Sequence, residues 1–236
     1  LAKERRFQLY GILSITLALT LLSVLFISIF SQGYTAFQET KIQLSINFEQ
    51  NILDPKKTRD WDVIKKSNFN ILIKNSLKEL FPDVSGRNEK RKLKKIISTS
   101  GEYQLRNYIR NNIESIGTSK KIWLLADDDV DMLIKGHINR TLPEEERRID
   151  NTELAWIEIL ETKKLIKKFF NKTFFTSGDS AESEQSGILG ALIGSLFAIG
   201  ITLIISFPIG IATAIYLEEF APKNNKFIDF VEVNIN

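Results

Sequence analysis

The chain is expected to be an α-helical integral membrane protein, with two transmembrane helices and an inserted, mostly helical α+β extracytoplasmic domain between them. Three observations predict this. Leu9 to Phe30 and Gly187 to Leu217 are long apolar stretches without a single Asp, Glu, Lys or Arg, and about 20 apolar residues cross a bilayer as a helix. About 150 mostly polar residues separate them, enough for one compact unit with its own core. Within that region apolar residues recur at both strand and helix spacing. The near-zero mean hydropathy of the whole chain averages two unlike parts.

The expected order is a cytoplasmic N-terminus (1–8), transmembrane helix 1 (9–31), the extracytoplasmic domain (32–185), transmembrane helix 2 (186–217) and a cytoplasmic segment (218–236). Lys3, Arg5 and Arg6 precede the first span, and nothing basic follows it until Lys41. Glu182 and Glu184 precede the second span, and Lys223 and Lys226 follow it. The positive-inside rule then places both ends in the cytoplasm and the domain outside. The first span exceeds a signal-peptide apolar core, and Ser31-Gln32-Gly33-Tyr34 is a poor cleavage site, so an uncleaved helix is expected. The chain begins with Leu and stops inside Val233-Asn234-Ile235-Asn236, and it reads as a segment of a longer protein.

The first span carries only a weak stripe of Gly11, Ser14 and Ala18 and reads as a peripheral helix. In the second, Gly187, Ala191 and Ser195 recur at four-residue spacing, as do Gly190, Gly194 and Ala198. Small side chains so spaced let helix backbones approach closely in a membrane, so this stripe is the expected helix-packing face. Pro208 followed by Gly210 predicts a break or kink, because proline removes one donor and clashes with the preceding turn. A span to about Ser206, a kink and a second helix ending near Glu219 would account for the excess length.

In the domain, Ile42, Leu44, Ile46 and Phe48 alternate with polar residues and predict a half-buried strand over Lys41 to Phe48. Asp54-Pro55 marks a turn. Phe69, Leu72, Ile73, Leu77 and Leu80 then fall at helical spacing until Pro82. Helices are expected at Lys90 to Ser98 and Glu102 to Ile116, with a second strand at Lys121 to Leu125. Thr152 to Phe170 reads as one helix capped by Asn151 or Thr152, and Phe174 to Ser180 as a segment at the outer membrane surface.

No pattern of site chemistry emerges. The chain has no cysteine, so disulfides and thiolate chemistry are excluded. With 27 Lys and Arg against 24 Asp and Glu between the chain's end segments, the domain lacks the basic footprint of a nucleic-acid binder. Asp127, Asp128, Asp129 and Asp131 lack the alternation, glycine and late glutamate of a calcium loop and read as caps of the helix that follows. His137 reads as a surface residue. Asn139-Arg140-Thr141 and Asn171-Lys172-Thr173 match the glycosylation triplet, to which no role is given. No catalytic, metal or cofactor residues are expected, and the chain is not read as an enzyme.

The run Phe174-Phe175-Thr176-Ser177-Gly178-Asp179-Ser180, then Gly187 to Ser195, Pro208-Ile209-Gly210-Ile211-Ala212 and Ala214 to Lys223 resembles the PstA-type permease of bacterial phosphate ABC transporters. Arg5-Arg6-Phe7, Gly33-Tyr34 and Ala155-Trp156 are similar to a subgroup with a large extracytoplasmic insertion after the first span. The resemblance implies a permease subunit of an ATP-driven phosphate importer in the bacterial inner membrane. It implies as partners a second permease in a heterodimer, a cytoplasmic ATPase dimer and an extracytoplasmic phosphate-binding protein. It implies no cofactor, and no pathway residue carries over. The chain itself has no Walker loop. The rival reading is a two-span sensor with an extracytoplasmic ligand domain, but Pro222, Asn224 and Asn225 do not suit the coiled coil that a sensor's signalling helix needs.

Overall fold

The computed structural model describes residues 2–220. The expectations resting on Pro222, Lys223, Asn224, Asn225 and Lys226 lie outside these. The first long helix, α1 (Ala2–Gly33), takes in the basic residues that were expected to precede the span. A short 3₁₀ turn, Tyr34–Phe37, leads directly into β1 (Gln38–Asn47). Its inner face is the predicted one: Ile42, Leu44, Ile46 and the following Phe48 are all essentially inaccessible to solvent.

Two short helices, α2 (Gln50–Leu53) and α3 (Trp61–Ile64), flank a loop closed by Asp54. Its carboxylate accepts the amides of Thr58 (3.0 Å) and Arg59 (2.7 Å). Helix α4 (Phe69–Leu80) has the predicted bounds and buries Phe69, Leu72, Ile73 and Leu77 against the sheet. Helix α5 (Arg87–Lys95) and α6 (Gly101–Asn111) follow, both shorter at their C-terminal ends than the sequence predicts. Then come β2 (Ser119–Leu125) and α7 (Asp128–Lys135).

Helix α8 (Asn151–Thr162) corrects one expectation. Asp150, not Asn151 or Thr152, caps it, exchanging side-chain bonds with Glu153 in a capping box. It also stops eight residues early. Lys164 adopts a left-handed φ of 57°, its amide donates to the Glu161 carbonyl (2.9 Å), and the Leu165 amide donates to the Leu160 carbonyl (2.8 Å). This is a Schellman stop with lysine where glycine is usual. The chain then reverses into a third strand, β3 (Ile166–Phe170), where a helix was predicted.

The sheet order is β2-β1-β3, antiparallel throughout, with Ile42 opposite both Leu124 and Ile166. One face meets α4, α6 and α8 in a single core that includes Leu105, Ile109, Ile157 and Leu160. On the other face Trp123 packs edge-on against Phe169 (5.1 Å between centroids), with Lys167 over the indole and Lys41 over the phenyl ring.

Helix α9 (Lys172–Thr176) connects the sheet to the second long helix, α10 (Leu189–Ile215). The chain stays helical at Pro208, where a break or kink was expected. The helix runs unbroken through it, and the irregularity comes later, as a π turn at Tyr216–Phe220.

Both α1 and α10 contain stretches long and apolar enough to cross a membrane, and none of the residues in those windows is buried by the rest of the chain. Their hydroxyls are satisfied internally. Ser14, Thr20 and Ser23 on α1, and Ser195, Thr202 and Thr213 on α10, each donate to the carbonyl four residues back, at 2.7–2.9 Å.

Candidate functional site

The expected packing stripe lies open. Gly190, Ala191, Gly194, Ser195 and Ala198 are exposed on α10, and a Cβ at Gly194 would meet nothing within 4 Å. Gly210, beside Pro208, is equally open. Gly187 does not share that helix face, because α10 begins two residues later. It sits against α9, where an added Cβ would lie 2.4 Å from the Ser177 carbonyl and 2.8 Å from those of Phe174 and Thr173. No other residue fits there without moving backbone.

That close approach is the centre of a junction. The amides of Gly187, Ile188 and Leu189 donate to the carbonyls of Gly178 (2.8 Å), Phe174 (2.8 Å) and Ser177 (3.1 Å). The first amides of a helix have no partner within it, so the segment after β3 supplies theirs and fixes how α10 leaves the domain. Asn171 ties in the other long helix. Its amide donates to the Phe37 carbonyl (2.9 Å), its side-chain nitrogen donates to Ala36 (3.0 Å), and its side-chain oxygen caps α9 by accepting from Phe174 (2.9 Å). Phe37 also packs against Phe174 and Phe175 at 5.7 and 5.9 Å. The residues just after α1 and just before α10 are thus held together at one end of the sheet.

A cavity of about 350 Å³ lies beneath this junction, bordered by Glu39, Asp128, Asp131, His137 and Glu184. Glu184 is buried; Ser98 donates to one of its oxygens at 2.6 Å, and the other has no partner. Asp127 caps α7 by accepting the Asp129 amide, as the sequence predicts. Burial, with the nearby charges of Glu184, Asp129 and Asp128, pushes its carboxyl up to about 6. Asp128 is raised for the same first reason, burial. Asp131 bonds the Thr40 amide (2.9 Å) and pairs with Lys135, locking α7 to β1. His137 is exposed, as the sequence predicts, and its Nε2 shares a 3.0 Å hydrogen bond with Thr35, at the foot of α1. Among the described residues no group of three or more His, Asp or Glu is arranged to hold a metal ion.

Sequence reasoning missed Asn171, whose glycosylation-like triplet disguised a structural cap, and misassigned Gly187. The only signal for Gly187 was the glycine itself. Its partners come from the fold.

A Bacillus subtilis protein named "Probable ABC transporter permease protein YqgI" is 36% identical over 62 residues, which cover 26% of this chain and 21% of that protein. No solved structure matches. Residues 1–144, from α1 through α7, match the family described as "Domain of unknown function (DUF3333)". That match takes in more than half of the sequence, and the chain belongs to this family.

Proposed function

We propose that the chain is a permease subunit of an ATP-driven importer of inorganic phosphate, with α1 and α10 in the membrane and the sheet domain on its extracytoplasmic side. The observation that carries the permease reading is the stretch of identity with a protein named as an ABC transporter permease; phosphate as the substrate rests on the resemblance of Phe174 to Lys223 to PstA-type permeases. Two long, solvent-facing apolar helices support it. Neither span contains an Asp, Glu, Lys, Arg or His between Leu9 and Phe30 or between Gly187 and Leu217. Intramembrane charges commonly mark transport routes, so α1 and α10 serve here as scaffold, and the stripe from Gly190 to Ala198 packs on further helices of the assembly. The proposed partners are a second permease subunit, a cytoplasmic ATPase dimer and an extracytoplasmic phosphate-binding protein.

Two measurements test this. Affinity purification of the whole gene product from its own membranes should recover an ATPase subunit, and disrupting the gene should abolish high-affinity uptake of labelled phosphate. Recovery of the ATPase with unchanged phosphate uptake would keep the permease and reject phosphate. Recovery of a signalling kinase instead would reject the permease.

A further inference from the structure

The groove between α4 and α5, about 560 Å³ in volume, is strongly cationic. Six cations border it: Lys74 and Lys78 from α4, and Arg87, Lys90, Arg91 and Lys94 from α5. No carboxylate borders it, and none of the six is in an ion pair among the described residues. The opposite face of α5 is treated differently. Lys92 there pairs with Asp150, and Lys95 lies beside Asp127 and Glu153. Lys92 thus has an ion-pair partner, whereas the six cations around the groove have none among the described residues. The floor is apolar: Leu77, Val84 and Leu93 line it.

Position narrows the partner. Asn75, on the groove wall, donates to Glu49 at 3.3 Å, just past the last residue of β1. Both long helices join the sheet at the opposite end, beside Gln38 and Phe170. A ten-residue strand spans about 33 Å, so the groove lies at the far end of the sheet from the junction of the two long helices. A free phosphate ion would leave the apolar floor unused, whereas an acidic helix with one apolar face uses both floor and rim.

We propose that this groove docks an acidic, amphipathic segment of a soluble extracytoplasmic protein. The partner's compartment rests on the topology proposed above; the groove's charge does not. Clustered like charge of this kind raises association rates and makes them salt-dependent.

The test uses the full chain in neutral phosphatidylcholine nanodiscs and a fluorescent amphipathic Glu/Leu helix as probe. The probe should bind more tightly than a scrambled peptide of equal composition and be released by salt. K74E/K78E/R87E/K90E should weaken it about tenfold or more, while K120E/K168E, exposed charges elsewhere on the sheet, should not. The four groove positions are exposed, so the tryptophan melting curve should not move. If it does, the milder K74Q/K78Q should still weaken binding several-fold. Equal binding of the scrambled peptide, no effect of the groove variants, displacement by millimolar inorganic phosphate or displacement by phosphatidylglycerol vesicles would each overturn the proposal. Topology is read separately, by labelling introduced cysteines, so a failure there leaves the groove measurement standing.

Discussion

Helices α4 and α10 are both apolar on a helical repeat, yet the chain answers only one of them. Every large apolar residue on the inner face of α4 is covered by the sheet or by α6, and Leu72 and Leu77 are at most 2% exposed. On α10, Leu196 is 68% and Ile204 74% exposed. A folded chain does not leave such a surface in water, so the contrast divides the molecule into a self-sufficient domain and two helices whose surroundings lie outside the chain. The junction at Asn171 and Gly187 is where the two regimes meet.

Substitutions should break this contrast unequally. All three tryptophans, Trp61, Trp123 and Trp156, lie in the domain, so their fluorescence on denaturation reports its unfolding alone. Leu44→Ala should cost about 2–5 kcal/mol, whereas Leu196→Ala should leave the domain's transition where it is. Gly187→Val should come next, at about 1–3 kcal/mol from overpacking against the carbonyls of α9, and should change proteolytic cleavage around Ser177 to Ser186. Asn171→Ala removes both side-chain bonds of the buckle and should cost about 1–2 kcal/mol.

Titration sharpens the same boundary. Asp127 is held near 6 in the folded chain, against an ordinary 3.8, so between those values the folded state keeps a proton that the unfolded state has lost. The stability that Asp127 contributes therefore falls as pH rises from about 4 to about 6 and then levels off. Asp127→Asn, which keeps a capping oxygen, should flatten that fall in melting curves recorded across this range. The smallest effect is a gain. Lys164→Gly relieves a left-handed lysine and should stabilise the domain by about 1 kcal/mol.

These positions also show what could be read from the sequence. Strand β1 and helix α4 were legible because each has one buried face and one wet face, and that asymmetry is written residue by residue. The end of α8 was not. Helix α7 closes on Gly136 in the left-handed conformation, with the His137 amide returning to Met132 at 2.9 Å, and glycine announces such a stop. Helix α8 closes by the same pattern of bonds on Lys164, which announces nothing. Leu165 and Phe169 also happened to continue a helical stripe, so β3 was hidden until its pairing with β1 was seen. The groove was not legible, since only the fold brings Lys74 and Lys78 beside Arg87 and Lys90. Pro208 was legible as a residue, and the helix continues through it.

The central claim is that α1 and α10 cross a membrane and enclose an outward-facing domain. The chain has no cysteine, so single cysteines introduced at Phe7 and Ser119 can be probed in intact cells with a membrane-impermeant maleimide. The account predicts immediate labelling at Ser119 and labelling at Phe7 only after permeabilisation. Labelling at Phe7 with protection of Ser119 would invert the topology, and equal labelling of both in intact cells would remove α1 from the membrane.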